Sequence, residues 1–325
     1  MMLQPVKFVP YLKSVIWGGE NIAPYKGIDT DQRQIGESWE ISSVPGHVSV
    51  VADGPYRGMT LTELIAQFGA SLVGKANYEK YGTTFPLLVK LIDAADNLSV
   101  QVHPDDRLAM ERHNSLGKTE MWNIIAAAGD AKIYAGLCRQ ITPDEYQRRV
   151  ADNTIMEVIA EHDSAPGDVF FLPAGRIHAI GAGNLLAEIQ QTSDVTYRIY
   201  DYDRRDKDGN PRQLHTAQAR EAIDYTVYPE YKSIPTDNTL VDCPYFAVDR
   251  LAVDGNDVPL PHRRDSFTIV MCISGETVIT YPTTDGDGKP CSRSCRARQG
   301  ETLLFPASMS GLTATGHAIL LSVQA

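Results

Sequence analysis

The chain has 325 residues, 43% hydrophobic and 22% charged, enough to bury one large core or two ordinary ones. Its formal net charge of −11 has the wrong sign for a general nucleic-acid surface, and no Lys/Arg cluster with interleaved aromatics makes a local exception. No run reaches the length of a transmembrane helix, and the N-terminal MMLQPVKFVPYLKSVIWGG lacks the apolar core and cleavage pattern of a secretion signal, so a cytoplasmic enzyme or binding protein is expected.

Short β runs separated by Gly, Pro, Asn and Asp dominate, the spacing of a sandwich or barrel. The first helix signal is a capping box, Thr60 with Glu63, ahead of Leu61, Leu64, Ile65 and Phe68, and the pattern stops at Gly69. PLLVKLIDA then reads as a strand in which Lys90 shares a face with Leu88 and Ile92, with Val89 and Leu91 opposite. Such a lysine is either partly desolvated, with a lowered pKa suited to proton transfer near neutrality, or a snorkelling side chain at a strand end.

The next run, LSVQVHPDD, places Ser99, Gln101 and His103 on one face, opposite Leu98, Val100 and Val102. A polar stripe turned into a barrel must find hydrogen-bond partners, a metal or a ligand. Pro104 with Asp105 and Asp106 opens a helix that ends the strand. In GKTEMWNII, Lys118 precedes Glu120 by two residues and on a strand faces the same way. The GKT is not a P-loop, because Arg112 stands where that motif requires its first glycine.

KIYAGL is a strand, and Thr142, Pro143 and Glu145 open another capped helix. The run Gly167 to Gly175, GDVFFLPAG, resembles GETLLFPAS from Gly300 to Ser308, each reading as turn, buried strand and proline stop. The first copy continues to His178 whereas the second has Gly311 in that place. This pattern resembles the second motif of the cupins, small β-barrels that hold a metal in the barrel mouth, and implies a double jelly roll.

In SDVTYRIYDYD, Arg198 shares a strand face with Thr196, Tyr200 and Tyr202. A permanently charged fork among aromatics suits a carboxylate or phosphate, the alternative being an ion pair with Asp194, Asp201 or Asp203. Asp206 to Asn210 imitates a calcium loop but lacks the terminal Glu and reads as a solvated hairpin. A helix covers roughly Thr216 to Ile223. The Pro-rich segment from Thr226 is the candidate boundary between an N-terminal unit, residues 1–240, and a C-terminal β unit without metal ligands, residues 241–325, in which SFTIVMCI is a strand. Five cysteines, an odd and scattered number, read as reduced thiols, and Cys291 with Cys295 lacks the partners of a zinc set.

Two imidazoles, one carboxylate and one amide oxygen from His103, His178, Glu120 and Gln101 suit a borderline divalent ion such as Zn²⁺. With Glu120 the only anionic ligand, the set keeps a formal charge of about +1, which attracts oxygen-rich anions.

Taken in order, QVHPDD, GKTEMW and PAGRIHAIGAGNLLAEIQQTSDVTYRIYDYDR closely resemble the type I mannose-6-phosphate isomerases, in a short form without the large helical insertion of longer members. The resemblance implies a mainly β fold of two cupin-like jelly-roll barrels, with a few helices inserted in or flanking the N-terminal unit. It implies interconversion of mannose 6-phosphate and fructose 6-phosphate through an enediol, with one zinc ion on positions matching Gln101, His103, Glu120 and His178. The active-site arginine of the family falls on Arg198. Lys90, Ser99, Lys118 and Glu188 match pocket positions, and Trp17 looks like the family's N-terminal aromatic. Lys118 is the first choice for proton transfer or phosphate contact and Lys90 the second. The competing expectations are a metal-dependent cupin isomerase of another sugar phosphate and a non-catalytic sugar-phosphate sensor, with no nucleic-acid or membrane partner in either case.

Overall fold

The computed structural model describes residues 3–205, 209–233, 235, 237–284 and 287–325. In chain order it begins with β1 (Val6–Val9), β2 (Tyr11–Gly19), α1 (Ile22–Lys26), β3 (Ile35–Ile41), β4 (Val50–Val51), α2 (Leu61–Phe68), α3 (Ala70–Val73) and α4 (Lys75–Tyr81). Then come β5 (Leu87–Ala94), β6 (Val100–Val102), α5 (Asp106–His113), β7 (Glu120–Ala127), β8 (Lys132–Leu137), α6 (Pro143–Ala151), β9 (Ile159–Asp163), β10 (Val169–Leu172), β11 (His178–Ile180), β12 (Asn184–Gln191), β13 (Tyr197–Tyr200) and α7 (Thr216–Ala222). The remainder is β: β14 (Lys232–Ser233), β15 (Thr239–Asp242), β16 (Ala247–Asp254), β17 (Val258–Pro259), β18 (Thr268–Thr284), β19 (Pro290–Arg298), β20 (Thr302–Phe305) and β21 (Thr313–Gln324). The fold is mainly β, as expected, and none of these helices is long and apolar enough to cross a membrane.

The helix starts form for the reasons legible in the sequence. Thr60 Oγ1 accepts from Glu63 N at 3.2 Å while Glu63 Oε2 accepts from Thr60 N at 2.8 Å; Asp105 Oδ1 and Thr142 Oγ1 cap α5 and α6 by accepting from Leu108 N and Glu145 N. The sequence pattern missed α1, α3 and α4. The first two are only five and four residues long, and KANYEKY in α4 carries no apolar stripe, so none shows a helical period. Asp206, Lys207 and Asp208, the centre of the expected hairpin, lie outside the described residues, although Arg205 and Pro211 bridge antiparallel across it.

Three antiparallel sheets build the molecule. The order in the first is β15-β16-β21-β18-β20-β1-β4, with β17 on β21 and β19 on β18; in the second, β14-β10-β7-β12-β5-β2-β3; in the third, β13-β6-β11-β8-β9. The N-terminal β1 therefore completes a sheet otherwise made mostly of C-terminal strands. The chain passes from the second sheet to the first between Ser233 and Thr239.

Period-2 alternation places the layers. On β5, Val89 and Leu91 join the core shared with the first sheet, whereas Ile92 and Ala94 join a core between the second and third sheets with Trp17, Leu98, Trp122, Ile133 and Ile180. Val100, Val102, Tyr197 and Ile199 pack on the outer side of the third sheet against Leu108, Tyr146, Val150 and Ala219 from α5, α6 and α7. Leu98 departs from its expected place opposite the polar stripe: the strand starts only at Val100, so Leu98 is free to turn into the inner core. The two copies of the turn-strand-proline repeat are β10 and β20, each entered through a positive-φ glycine, Gly167 and Gly300.

Candidate active site

Two rows of cross-strand neighbours face each other where the second and third sheets open. Across the third sheet, Gln101 pairs with Arg198 on one side and His178 on the other. Across the second, Trp39, Lys90, Glu188 and Trp122 stand in consecutive register on β3, β5, β12 and β7. Side chains so placed are a few ångströms apart without any help from loops.

His103, Glu120 and His178 meet at the bottom of this opening, with their ligand atoms within 4.8 Å of one another and all three buried. Glu120 is fully enclosed, and neither carboxylate oxygen has a hydrogen bond of good geometry, although Lys118 Nζ lies 2.9 Å from Oε2. His178 Nε2 is 3.2 Å from Oε1 and His103 Nε2 3.5 Å from Oε2. Each imidazole is oriented from behind: His103 Nδ1 lies 3.0 Å from the Val195 carbonyl and His178 Nδ1 2.8 Å from that of Arg176. A carbonyl can only accept, so Nδ1 carries the proton in both rings and each Nε2 keeps its lone pair, within 3.5 Å of a Glu120 oxygen. Burial, reinforced by Lys118, holds the His103 pKa well below its ordinary value, and burial lowers His178 to about 3, so both rings are neutral near pH 7. Burial pushes Glu120 up to about 7 against the pull of Lys118.

Two neutral imidazoles and a buried carboxylate without a well-formed hydrogen bond could hold a divalent metal ion. The Gln101 side-chain amide lies 3.3 Å from His178 Nε2, so an amide turned with Oε1 inward adds the fourth donor. Lys118 Nζ stands 3.1 Å from His103 Nε2, so a basic side chain already reaches this set.

Above the set lies a cavity of about 380 Å³ lined by Trp17, Lys90, Ser99, Gln101, Lys118, Glu188 and Arg198. Every substrate or catalytic position expected from the sequence is on this wall. Lys90 requires a correction. Burial does act to lower its pKa, but Glu188 at 2.9 Å and Glu37 at 3.8 Å more than offset it, so the pKa is raised and Lys90 is a fixed cation near neutrality. Glu188 is likewise held low: burial raises it, while Lys90 and Lys118 lower it further, and Trp122 Nε1 donates to it at 2.8 Å.

Arg198 makes none of the ion pairs offered as its alternative role; among the described residues it donates to Ser99 Oγ at 3.3 Å and to the Gln213 carbonyl at 3.0 Å. Asp201 is taken instead by Arg204 and Arg212. The Arg198 pKa is lowered by burial and then by Arg212, the mark of cations crowded together. Sequence reasoning missed Lys13, Glu37, Trp39 and Arg212, which line the same cavity. Lys13 and Trp39 Nε1 donate to Glu37 at 3.1 and 2.6 Å, and the Lys90 ammonium lies 5.2 Å from the Trp39 ring centre. The only signal was the alternation Glu37, Trp39 in IGESWEI, which a strand buried along its whole length does not distinguish from core.

A family model described as the catalytic domain of type I phosphomannose isomerase matches residues 6–120. Mannose-6-phosphate isomerase ManA of Bacillus subtilis is 36% identical over 300 residues, covering 88% of this chain and 92% of that protein. The chain belongs to the type I phosphomannose isomerase family. Mannose-6-phosphate isomerase of Streptococcus mutans is also 36% identical, over 86% of this chain and 88% of its own. The crystal structure of mannose 6-phosphate isomerase from Bacillus subtilis shares 31% identity and a TM-score of 0.84, with 99% of both chains covered. The family likeness thus extends beyond the N-terminal two-thirds that the motifs span, into the C-terminal strands.

Proposed function

We propose that this chain is a zinc-dependent aldose-ketose isomerase that interconverts mannose 6-phosphate and fructose 6-phosphate through an enediol. The observation that carries the reading is the buried His103, Glu120, His178 set with fixed tautomers, opening on a cavity whose wall holds more cations than carboxylates. A zinc ion on these residues and Gln101 supplies a Lewis acid that polarises sugar oxygens and steadies negative charge developing on them.

The remaining chemistry belongs to the side chains. Lys118, between the ligand set and the cavity, is placed to move the proton between C2 and C1 of the open-chain sugar. Lys90, locked as an ammonium, and Glu188 contact sugar oxygens and set the field along which charge shifts. Arg198 and Ser99 on one wall, with Arg212 beside them, receive the phosphate or the enediolate. Trp17, Ile92, Leu98 and Ile180 make an apolar wall that limits water near the reacting carbons.

In this reading residues 1–240 form the catalytic cupin unit and residues 241–325 a cupin-like barrel without ligands, to whose sheet β1 and β4 add. Five unbridged cysteines accord with a cytoplasmic protein. The test is elemental analysis of the purified protein beside a coupled mannose-6-phosphate to fructose-6-phosphate assay, before and after chelation. Full activity in a metal-free sample would overturn the zinc mechanism.

A further inference from the structure

Resting on that functional reading, we propose that α1 ties the C-terminal sheet to the sugar pocket, with Lys26 and Glu40 acting as positioning residues for the substrate. The helix leaves the pocket directly after Trp17 through Gly18 and Gly19, and it is fastened on two sides. Towards the first sheet, Lys26 Nζ donates to the Gly300 carbonyl at 2.6 Å, Tyr25 Oη to the Ile273 carbonyl at 2.7 Å, and Gln299 Nε2 to the Tyr25 carbonyl at 3.2 Å. The contact is close: a Cβ on Gly300, which sits at φ +78°, meets Lys26 Cα at 2.8 Å.

Towards the second sheet, α1 holds the backs of the two strands whose fronts make the pocket. Lys26 Nζ reaches both carboxylate oxygens of Glu40 at 2.7 Å, and Ser38 Oγ adds a bond to Glu40 at 2.6 Å. At the other end of the helix, Asn21 donates its backbone N–H and side-chain amide to Asp93 at 2.7 and 3.0 Å. Glu37 and Trp39 lie on the pocket face of β3, three residues and one residue from Glu40, and Lys90 on that of β5, three residues from Asp93.

The Lys26–Glu40 pair is 5% and 4% exposed, with every contact short. A buried pair gives little net stability over an apolar pair of equal volume, but its directional bonds fix one orientation where apolar packing tolerates several. Here the fixed orientation is that of the strand carrying Glu37 and Trp39.

The test replaces the bridge without leaving a lone buried charge: Lys26→Met with Glu40→Leu, compared with Arg250→Met. Arg250 joins the same sheet to the N-terminal part through the Gly167 carbonyl at 2.6 Å, away from the pocket. The bridge variant is expected to raise KM for mannose 6-phosphate roughly 10–100-fold, with kcat held within about threefold, and the Arg250 variant to leave KM unchanged. All three tryptophans, Trp17, Trp39 and Trp122, stand at the site, so the bridge variant should also show red-shifted emission and easier acrylamide quenching without any substrate. A lowered melting temperature with KM and emission unchanged overturns the proposal, as does an equal rise in KM for Arg250→Met. If Lys26→Met/Glu40→Leu does not fold, Glu40→Gln, which keeps an acceptor but weakens the bridge, is read the same way with a smaller rise. Failure of the unaltered protein to isomerise mannose 6-phosphate removes the functional reading and leaves the emission comparison to decide the coupling.

Discussion

Lys90 on β5 stands directly opposite Glu188 on β12, and their 2.9 Å ion pair, extended by Glu37 at 3.8 Å, makes one pocket wall a row of alternating charges. Buried pairs of this kind are expensive to break, because removing one partner leaves the other charged and enclosed. The row is therefore a rigid electrostatic template rather than a reservoir of mobile protons.

The pH dependence of stability follows from its signs. Burial alone raises the carboxylates, but Lys90 and its neighbours outweigh it, so folded Glu37 and Glu188 lie below the ordinary 4.5. Their contribution is present above that value and lost as pH falls towards about 2, the folded value of Glu188. Lys90 is raised, so its contribution is complete below 10.5 and lost only at higher pH. Glu37, Glu188 and Lys90 thus add no slope to the urea midpoint across neutrality and lower it in acid, and Glu188→Gln, though less stable at pH 7, should show a shallower slope below about pH 4.5 than the unaltered protein. An unchanged slope would assign the acid loss to other carboxylates.

Metal and turnover should separate by residue. His103→Ala and His178→Ala are expected to lose both bound metal and activity, since each deletes one of two aligned Nε2 donors. Arg198→Ala should retain the metal, because its guanidinium touches Ser99 and a carbonyl rather than the ligand set, while turnover drops roughly 10²–10³-fold if it meets charge in the transition state. Metal content by plasma emission and kcat, measured on one preparation, decide this.

The stripe Ser99, Gln101, His103 was legible because a strand's period of two needs only adjacent residues, and Val100 and Val102 do lie in the opposite core. The sign of the Lys90 shift was not, because it depends on Glu188 nearly a hundred residues later and on Glu37, supplied by another strand. Arg212 was hidden for a related reason: it follows a stretch of sequence rich in aspartate, where a surface ion pair is the ordinary outcome, and only the fold turns it towards the cavity. Patterns within one strand survive in sequence, whereas cross-sheet partnerships appear only with the topology.

Arg212 offers a test of substrate orientation. Asp201, buried between Arg204 and Arg212, fixes the second guanidinium beside Arg198, and its own pKa is lowered by both arginines despite burial. If the phosphate sits in this corner, Arg212→Met should raise KM for mannose 6-phosphate roughly 10–100-fold, the value of one charged hydrogen bond, and leave activity on free mannose unaltered. Equal loss on both substrates would move the phosphate elsewhere in the cavity.

The packing behind the ligand set gives a prediction about stability alone. Gly136 on β8 follows Ala135, the cross-strand partner of His178, and adopts φ +78°, where a side chain is strained. A Cβ there meets the Tyr231 ring at 2.0 Å, and that ring cannot retreat, because its hydroxyl accepts from Leu137 N at 3.2 Å and donates to Leu137 O at 3.0 Å. Backbone strain and overpacking together cost about 2–5 kcal/mol, so Gly136→Ala should lower the denaturation midpoint sharply. Gly129→Ala, in open space in the turn between β7 and β8, should not. The His178 ligand is held by the Arg176 carbonyl and not by Tyr231, so the Gly136→Ala protein that remains folded should still bind metal, separating the stability of the sheet from the geometry of the site.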